Sequence, residues 1–180
     1  VKKAGNGFLE NIMSVINDAK AFQFELADEL ASIEFAGQLA EACEQGEAFA
    51  DGLVVYLYGD LGAGKSFFSR AFIQHFMPGQ KVKSPTYTLI ESYNFSTNSI
   101  HHLDLYRLCD PEELEYLAVR DLFSENFIAL VEWPQKGEPL LPAADLAIEL
   151  IHQDQGRKVK MLAQSPKAEV LLESIKARLA

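Results

Sequence analysis

The sequence predicts an α/β fold, a three-layer sandwich around a mixed central β-sheet, and three observations carry that prediction. "LVVYLYG", residues 53–59, is a short continuous apolar run of the kind that forms a strand buried on both faces of a parallel sheet. A glycine-rich turn follows, and from Lys65 onward the apolar residues Phe68, Ala71, Phe72 and Phe76 fall at helical spacing. Further on, "TYTLIESYNF" with "SIHHLDLYRL", and "DLAIELIHQ" with "RKVKMLAQ", read as two hairpins whose antiparallel pairs make the sheet a mixed one.

Taken in order, residues 1–22 fit neither a clean helix nor a strand, although "FLENIMSVI" has the makings of a short amphipathic turn. They are treated as an N-terminal extension, and residues 23–180 as a single domain. From Asp28 the pattern sharpens: Leu30, Ile33, Ala36 or Gly37, and Ala40 recur at helical spacing, with Asp28 or Ser32 able to cap the start and Gly46 to end it. The helix that begins near Lys65 is stopped by Pro78-Gly79. The first hairpin turns at "STNS". Asp110-Pro111-Glu112-Glu113 then opens a helix to about Val119, with proline at the first helical position and acids beside the positive end of the dipole. "FIALVEW" is a second continuous apolar strand, "PQKGEPLLP" a loop, Gln155-Gly156 the turn of the second hairpin, and "PKAEVLLESIKARL" an amphipathic terminal helix.

Composition narrows the function. With 180 residues, 48% hydrophobic and 23% charged, the chain suits one soluble domain with a well-buried core. Sixteen basic against 26 acidic residues give a net charge of -10 and a pI near 4.8, which excludes a broad electrostatic footprint for nucleic acid. Cys43 and Cys109 lie far apart without CxxC or Cys/His spacing, so they read as thiols of a reducing compartment rather than as zinc ligands. No apolar run approaches the roughly 18 residues of a membrane span, and the first residues lack the apolar region of a signal peptide. A cytoplasmic protein without membrane contact is expected.

Gly59-Asp60-Leu61-Gly62-Ala63-Gly64-Lys65-Ser66 matches GxxxxGK[ST] in full. Glycines there let successive backbone N–H groups turn into a concave anion-binding nest, and the helix that follows adds its positive dipole end. In such a loop Lys65 reaches the β- and γ-phosphates of a nucleotide and the Ser66 hydroxyl ligates Mg²⁺. Glu132 ends the apolar strand "FIALVE", where an acid can reach the metal or organise water beside the loop. Asp104, near the end of "HHLDLYR", reads either as a second such acid or as a pairing partner for Arg107 or another base. Thr86 lies in "KSPTYT", a loop that can follow the γ-phosphate or simply turn into a strand. Trp133 follows Glu132 and reads as core or as a ring beside the ligand. His101 and His102 are adjacent on a strand, face opposite sides, and read as structural histidines.

Together, "YLYGDLGAGKSFFSR", "VKSPTYTLIESY", "HHLDLYRLCDPEELEYLAVRDLF" and "ALVEWPQKG" closely resemble the TsaE (YjeE) family of bacterial P-loop ATPases, in order from about Asp28 to the C-terminus. The resemblance implies a P-loop NTPase-like sandwich with ATP and Mg²⁺ as cofactors. It implies an ATPase that supports threonylcarbamoyladenosine (t6A) synthesis beside the anticodon of tRNA, working with TsaB and TsaD partners and meeting tRNA only through that complex. Carried over by position, Leu61, Gly62, Ala63, Gly64, Lys65 and Ser66 wrap the phosphates, and Ser66 with Glu132 binds magnesium. Thr86 belongs to the switch, Asp104 and Trp133 are needed for activity, and Glu29 and Gly156 contact the nucleotide. Ser66 stands where the family usually has threonine, which keeps the hydroxyl, and Leu103 stands where a larger apolar residue is common. Two other readings compete: a small-molecule or nucleoside kinase, which would need arginines over the phosphates where only Arg107 and Arg120 are in range, and a nucleotide-dependent binding switch. No NKxD element is visible, which favours ATP over GTP.

Overall fold

The apolar run at Leu53–Tyr58 forms strand β2 in chain order, and all six of its residues are buried. Alternate side chains explain why no polar residue interrupts it: Val55 and Leu57 enter one core cluster, while Val54, Tyr56 and Tyr58 enter the other on the opposite face. The structure, a computed structural model, describes residues 18–180. The expected extension therefore lies outside the described residues as far as residue 17.

Strand β1 (Ala21–Leu26) leads into helix α1 (Glu29–Gln45), and β2 into α2 (Lys65–Phe76). Strands β3 (Ile90–Phe95) and β4 (Asn98–Asp104), short helices α3 (Glu113–Tyr116) and α4 (Val119–Leu122), β5 (Phe127–Glu132), β6 (Leu146–Gln153), β7 (Gly156–Ala163) and α5 (Pro166–Leu179) follow. One seven-stranded sheet takes the order β1-β7-β6-β2-β5-β4-β3. Its four central strands, β6, β2, β5 and β4, are mutually parallel, and β3, β7 and β1 pair antiparallel at the flanks. The parallel strands point their C-terminal ends the same way, so the loop after β2, Glu132 at the end of β5 and Asp104 at the end of β4 meet along one rim.

Helices α1, α2 and α5 cover one face with fully buried Phe35, Leu39, Phe68, Phe72, Leu172 and Ile175. Each such side chain contributes roughly 1.5–3 kcal/mol through the area it removes from water. The other face is thinner: the segment after β4, α3, α4 and the loops around residues 133–144 lay Leu105, Leu114, Val119 and Ala144 over Leu103 and Val131. The sandwich therefore has its three layers and its mixed sheet, with unequal outer layers. Asp28 caps α1, its Oδ1 accepting from the Ala31 amide at 2.9 Å, and Gly46 ends that helix as expected. No helix among the described residues is long and apolar enough to cross a membrane.

Three elements differ from expectation. Strand β1 was not read from the sequence; it pairs with β7 from Ala21 opposite Leu162 to Leu26 opposite Arg157, and crosses the expected boundary at residues 22 and 23. The strand expected from Thr86 starts only at Ile90, because Leu89 takes a left-handed φ of 64° and its amide donates back to Pro85 O at 2.7 Å, closing a turn. The helix expected from Asp110 to Val119 is broken at Ala118, φ 50°, into two pieces of four residues. Leu114 and Val119, five positions apart, would point about 140° apart on an unbroken helix; the break lets both enter the same core cluster.

Candidate nucleotide-phosphate site

The turn between β2 and α2 is built by its glycines. Gly59 has a φ of 140°, and a Cβ there would lie 2.4 Å from Leu150 O on the neighbouring strand, so only glycine lets the chain leave β2 this way. Gly62 and Gly64 are also in the left-handed region, at 80° and 105°. Lys65 opens α2 with its side chain folded back into the turn, its Nζ donating to Gly59 O at 2.6 Å and Asp60 O at 3.0 Å. The ammonium also lies 4.3 Å from the centroid of the Trp133 ring. Burial pushes the Lys65 pKa below the usual lysine value, and the nearby Glu132, Asp104 and Asp60 charges oppose that shift.

The acids come from the strand ends. Glu132 is 2% exposed, and its two oxygens have different partners: Ser66 Oγ donates to Oε2 at 3.0 Å and His102 Nε2 donates to Oε1 at 2.7 Å. Asp104 stands directly opposite Glu132 in the β4–β5 register. It accepts from the Tyr106 amide at 3.1 Å and, weakly, from Thr86 Oγ1 at 3.4 Å. Burial, aided by the Glu132 charge, pushes the Asp104 carboxyl above the usual aspartate range; the Tyr106 amide, His102 and Thr86 hold it partly down. Of the two readings of Asp104, pairing with Arg107 is not what the structure has: the Arg107 guanidinium lies 4.4 Å from the centroid of the exposed Tyr87 ring. Trp133, at φ 57°, turns the chain sharply after β5 and presents its half-buried ring to the same space, 5.0 Å from the Tyr106 ring.

Two cavities adjoin the loop and share Gly62, Gly64 and Phe67. The first, about 430 Å³, is lined by Leu61, Lys65, Ser66, Thr86, Asp104, Glu132 and Trp133, together with Tyr106 and Arg107. The second, about 460 Å³, is bounded by Leu26, Glu29, Ala63, Phe68, Gly156 and Arg157, among others. Every site residue expected from the sequence thus borders one of two adjacent spaces, and Glu29 and Gly156 line the one that the acids do not. Gly156 is fixed by packing: a Cβ there would lie 2.1 Å from Leu26 O.

Two further residues touch the loop or its acids. Arg157 anchors the loop from the β7 side, its Nε donating to Ala63 O at 2.7 Å. The only sequence signal for it is its place beside Gly156. His102, read as structural, touches Glu132 through Nε2 at 2.7 Å, a partner that the sequence reading did not name. His101 does face the other way, its Nδ1 2.8 Å from Ser92 Oγ.

A buried parallel strand, a complete glycine-rich phosphate loop, a helix, and acids on the neighbouring strand ends define a protein of the P-loop NTPase-like class. The model of the family described as "Threonylcarbamoyl adenosine biosynthesis protein TsaE" matches residues 26–159, more than half of the chain, and the chain belongs to that family of tRNA threonylcarbamoyladenosine biosynthesis. It is 41% identical over 140 residues to the tRNA threonylcarbamoyladenosine biosynthesis protein TsaE of Haemophilus influenzae, covering 78% of this chain and 88% of that one. The protein of that name from Bacillus subtilis is 36% identical over 130 residues, covering 71% and 81%. Among solved structures, the crystal structure of Bacillus subtilis YdiB superposes with a TM-score of 0.68 at 26% identity, over 89% of this chain and 97% of that one.

Proposed function

We propose that the protein is a Mg²⁺-dependent ATPase of the cytoplasm that drives the t6A machinery through TsaB and TsaD type partners, with tRNA engaged only through them. The observation that carries this reading is the 3.0 Å contact between Ser66 Oγ and Glu132 Oε2 directly beside the phosphate loop. A hydroxyl and a carboxylate already converging there form the hard-oxygen donor set that suits magnesium, which takes one or two protein ligands and leaves its other positions to phosphate oxygens and water. Bound magnesium would neutralise charge on the phosphate oxygens.

The chain's own groups divide the remaining work. Amides of residues 61–66 and the first turn of α2 hold phosphate oxygens. Lys65 exchanges Gly59 O and Asp60 O for phosphate, and Trp133 shields its ammonium from water. Asp104 orients water, and Thr86 brings the turn at residues 86–89 over the terminal phosphate. The second cavity, with apolar Leu26, Phe67 and Phe68 beside Glu29 and Gly156, takes the nucleoside. A kinase is disfavoured, since Lys65 and Arg107 are the only cations among the described residues lining the phosphate-side cavity.

Phosphate release decides between these readings. The protein alone should hydrolyse ATP slowly, TsaB and TsaD type proteins should accelerate it, and Lys65→Ala should abolish it. Fast turnover that depends on a small-molecule acceptor instead would replace this reading with the kinase.

A further inference from the structure

The contact between His102 and Glu132 carries an inference about how the metal-site carboxylate is held. His102 lies on β4 two residues before Asp104, and both it and Glu132 are almost wholly buried, at 1% and 2% exposure. An ionised carboxylate only accepts, so the 2.7 Å contact requires the proton on His102 Nε2. The other ring nitrogen, Nδ1, is buried and has no hydrogen-bond partner among the described residues. A core histidine kept for packing alone would be expected to satisfy both nitrogens. This ring satisfies only the one that faces Glu132, so that contact orients it.

The two oxygens of Glu132 are consequently divided. His102 occupies Oε1 from the β4 side, and Oε2 is left facing Ser66 Oγ. Rotation of the carboxylate would break both bonds. We propose that His102 is the positioning residue of Glu132: it fixes the carboxylate so that one defined oxygen, Oε2, is presented beside Ser66 to a divalent cation. The inference rests on the reading of Ser66 and Glu132 as magnesium ligands, and it assigns His102 no contact with nucleotide or metal.

The test uses Mg²⁺-dependent binding of ADP, without turnover, read by the fluorescence of Trp133, the only tryptophan in the chain and a wall of the cavity. Removing a hydrogen-bond partner of a metal ligand typically weakens metal affinity by about 10–100-fold, and His102→Leu should raise the half-saturating Mg²⁺ concentration by that order. ADP affinity without Mg²⁺ should be unchanged. His102→Gln, whose amide can donate from nearly the same place as Nε2, should stay close to wild type, whereas His102→Asn, with its amide at the Nδ1 side, should behave like His102→Leu. That Gln and Asn pair carries the test if the leucine variant fails to fold. In the Glu132→Gln background His102→Leu should add no further loss, because both changes act on one ligand. A wild-type Mg²⁺ dependence in His102→Leu or His102→Asn, or losses that simply add, would overturn the proposal. If wild type itself binds ADP without regard to Mg²⁺, the metal reading falls and this inference with it. If Glu132→Gln alters the dependence and the His102 variants do not, only the inference on His102 fails.

Discussion

Asp104 shows how much a single carboxylate's setting decides. Burial is the largest influence on it and raises its pKa above the ordinary aspartate value. An acid whose folded-state pKa is raised binds its proton more tightly in the folded than in the unfolded chain. It therefore favours folding at pH below the unfolded pKa, and that contribution is lost as pH rises through the folded one. Asp104→Asn removes the penalty while keeping an oxygen to accept from the Tyr106 amide. The variant should melt higher than wild type near pH 7, and the difference should shrink as pH falls towards the usual aspartate range. A difference that grows on acidification would show that Asp104 is held as a favourable carboxylate instead. Glu132 has the opposite kind of importance. Glu132→Gln should retain ATP binding, weaken its Mg²⁺ dependence and lose hydrolysis; unchanged phosphate release would remove Glu132 from the site. The same substitution takes away the largest charge that opposes the lowering of Lys65, so the lysine should then lose its proton more readily.

Among the elements, those defined by local pattern were legible and those defined by a distant partner were not. β2 announces itself because burial on both faces forbids polar residues, α1 because Asp28 and Gly46 bracket it, and the phosphate loop because its glycines are required by backbone geometry. β1 has only Phe22, Phe24 and Leu26 in alternation, and it becomes a strand because β7, some 135 residues later in the chain, offers a paired edge. His102 was legible as a buried strand residue, but its partner depends on β4 lying beside β5 in a register that places Asp104 opposite Glu132. The approach of β1 to β7 can be tested at Gly156. Its added Cβ would meet Leu26 O at 2.1 Å and Ala27 O at 3.0 Å, backbone atoms that move only if the strand moves. Gly156→Ala should cost on the order of 1–3 kcal/mol, as overpacking does, read from the urea midpoint. ADP affinity should fall with it, because Leu26 and Gly156 wall the second cavity. A wild-type midpoint would mean that the β1–α1 junction gives way freely.

Across the whole molecule, the phosphate loop stands between two regions that hold different chemistry. On one side β4, β5 and the turn at residues 86–89 supply acids, a hydroxyl and the Trp133 ring; on the other β1, α1 and β7 supply apolar surface, Glu29 and Gly156. The parallel centre of the sheet brings the first group to one rim, and the antiparallel flank carries the second. A nucleotide lying across the loop should tie these regions together, and its parts should act separately. In amide hydrogen exchange, AMP should protect residues 27–32 and 155–157, pyrophosphate with Mg²⁺ should protect residues 59–66 and 86–89, and ATP with Mg²⁺ should protect all four segments. The protection follows from direct occupancy, since exchange in such exposed segments proceeds by local opening that a bound group suppresses. If AMP instead slows exchange at residues 86–89 and leaves 27–32 untouched, the orientation is reversed, and the acids beside Lys65 then face the nucleoside rather than the bond that breaks.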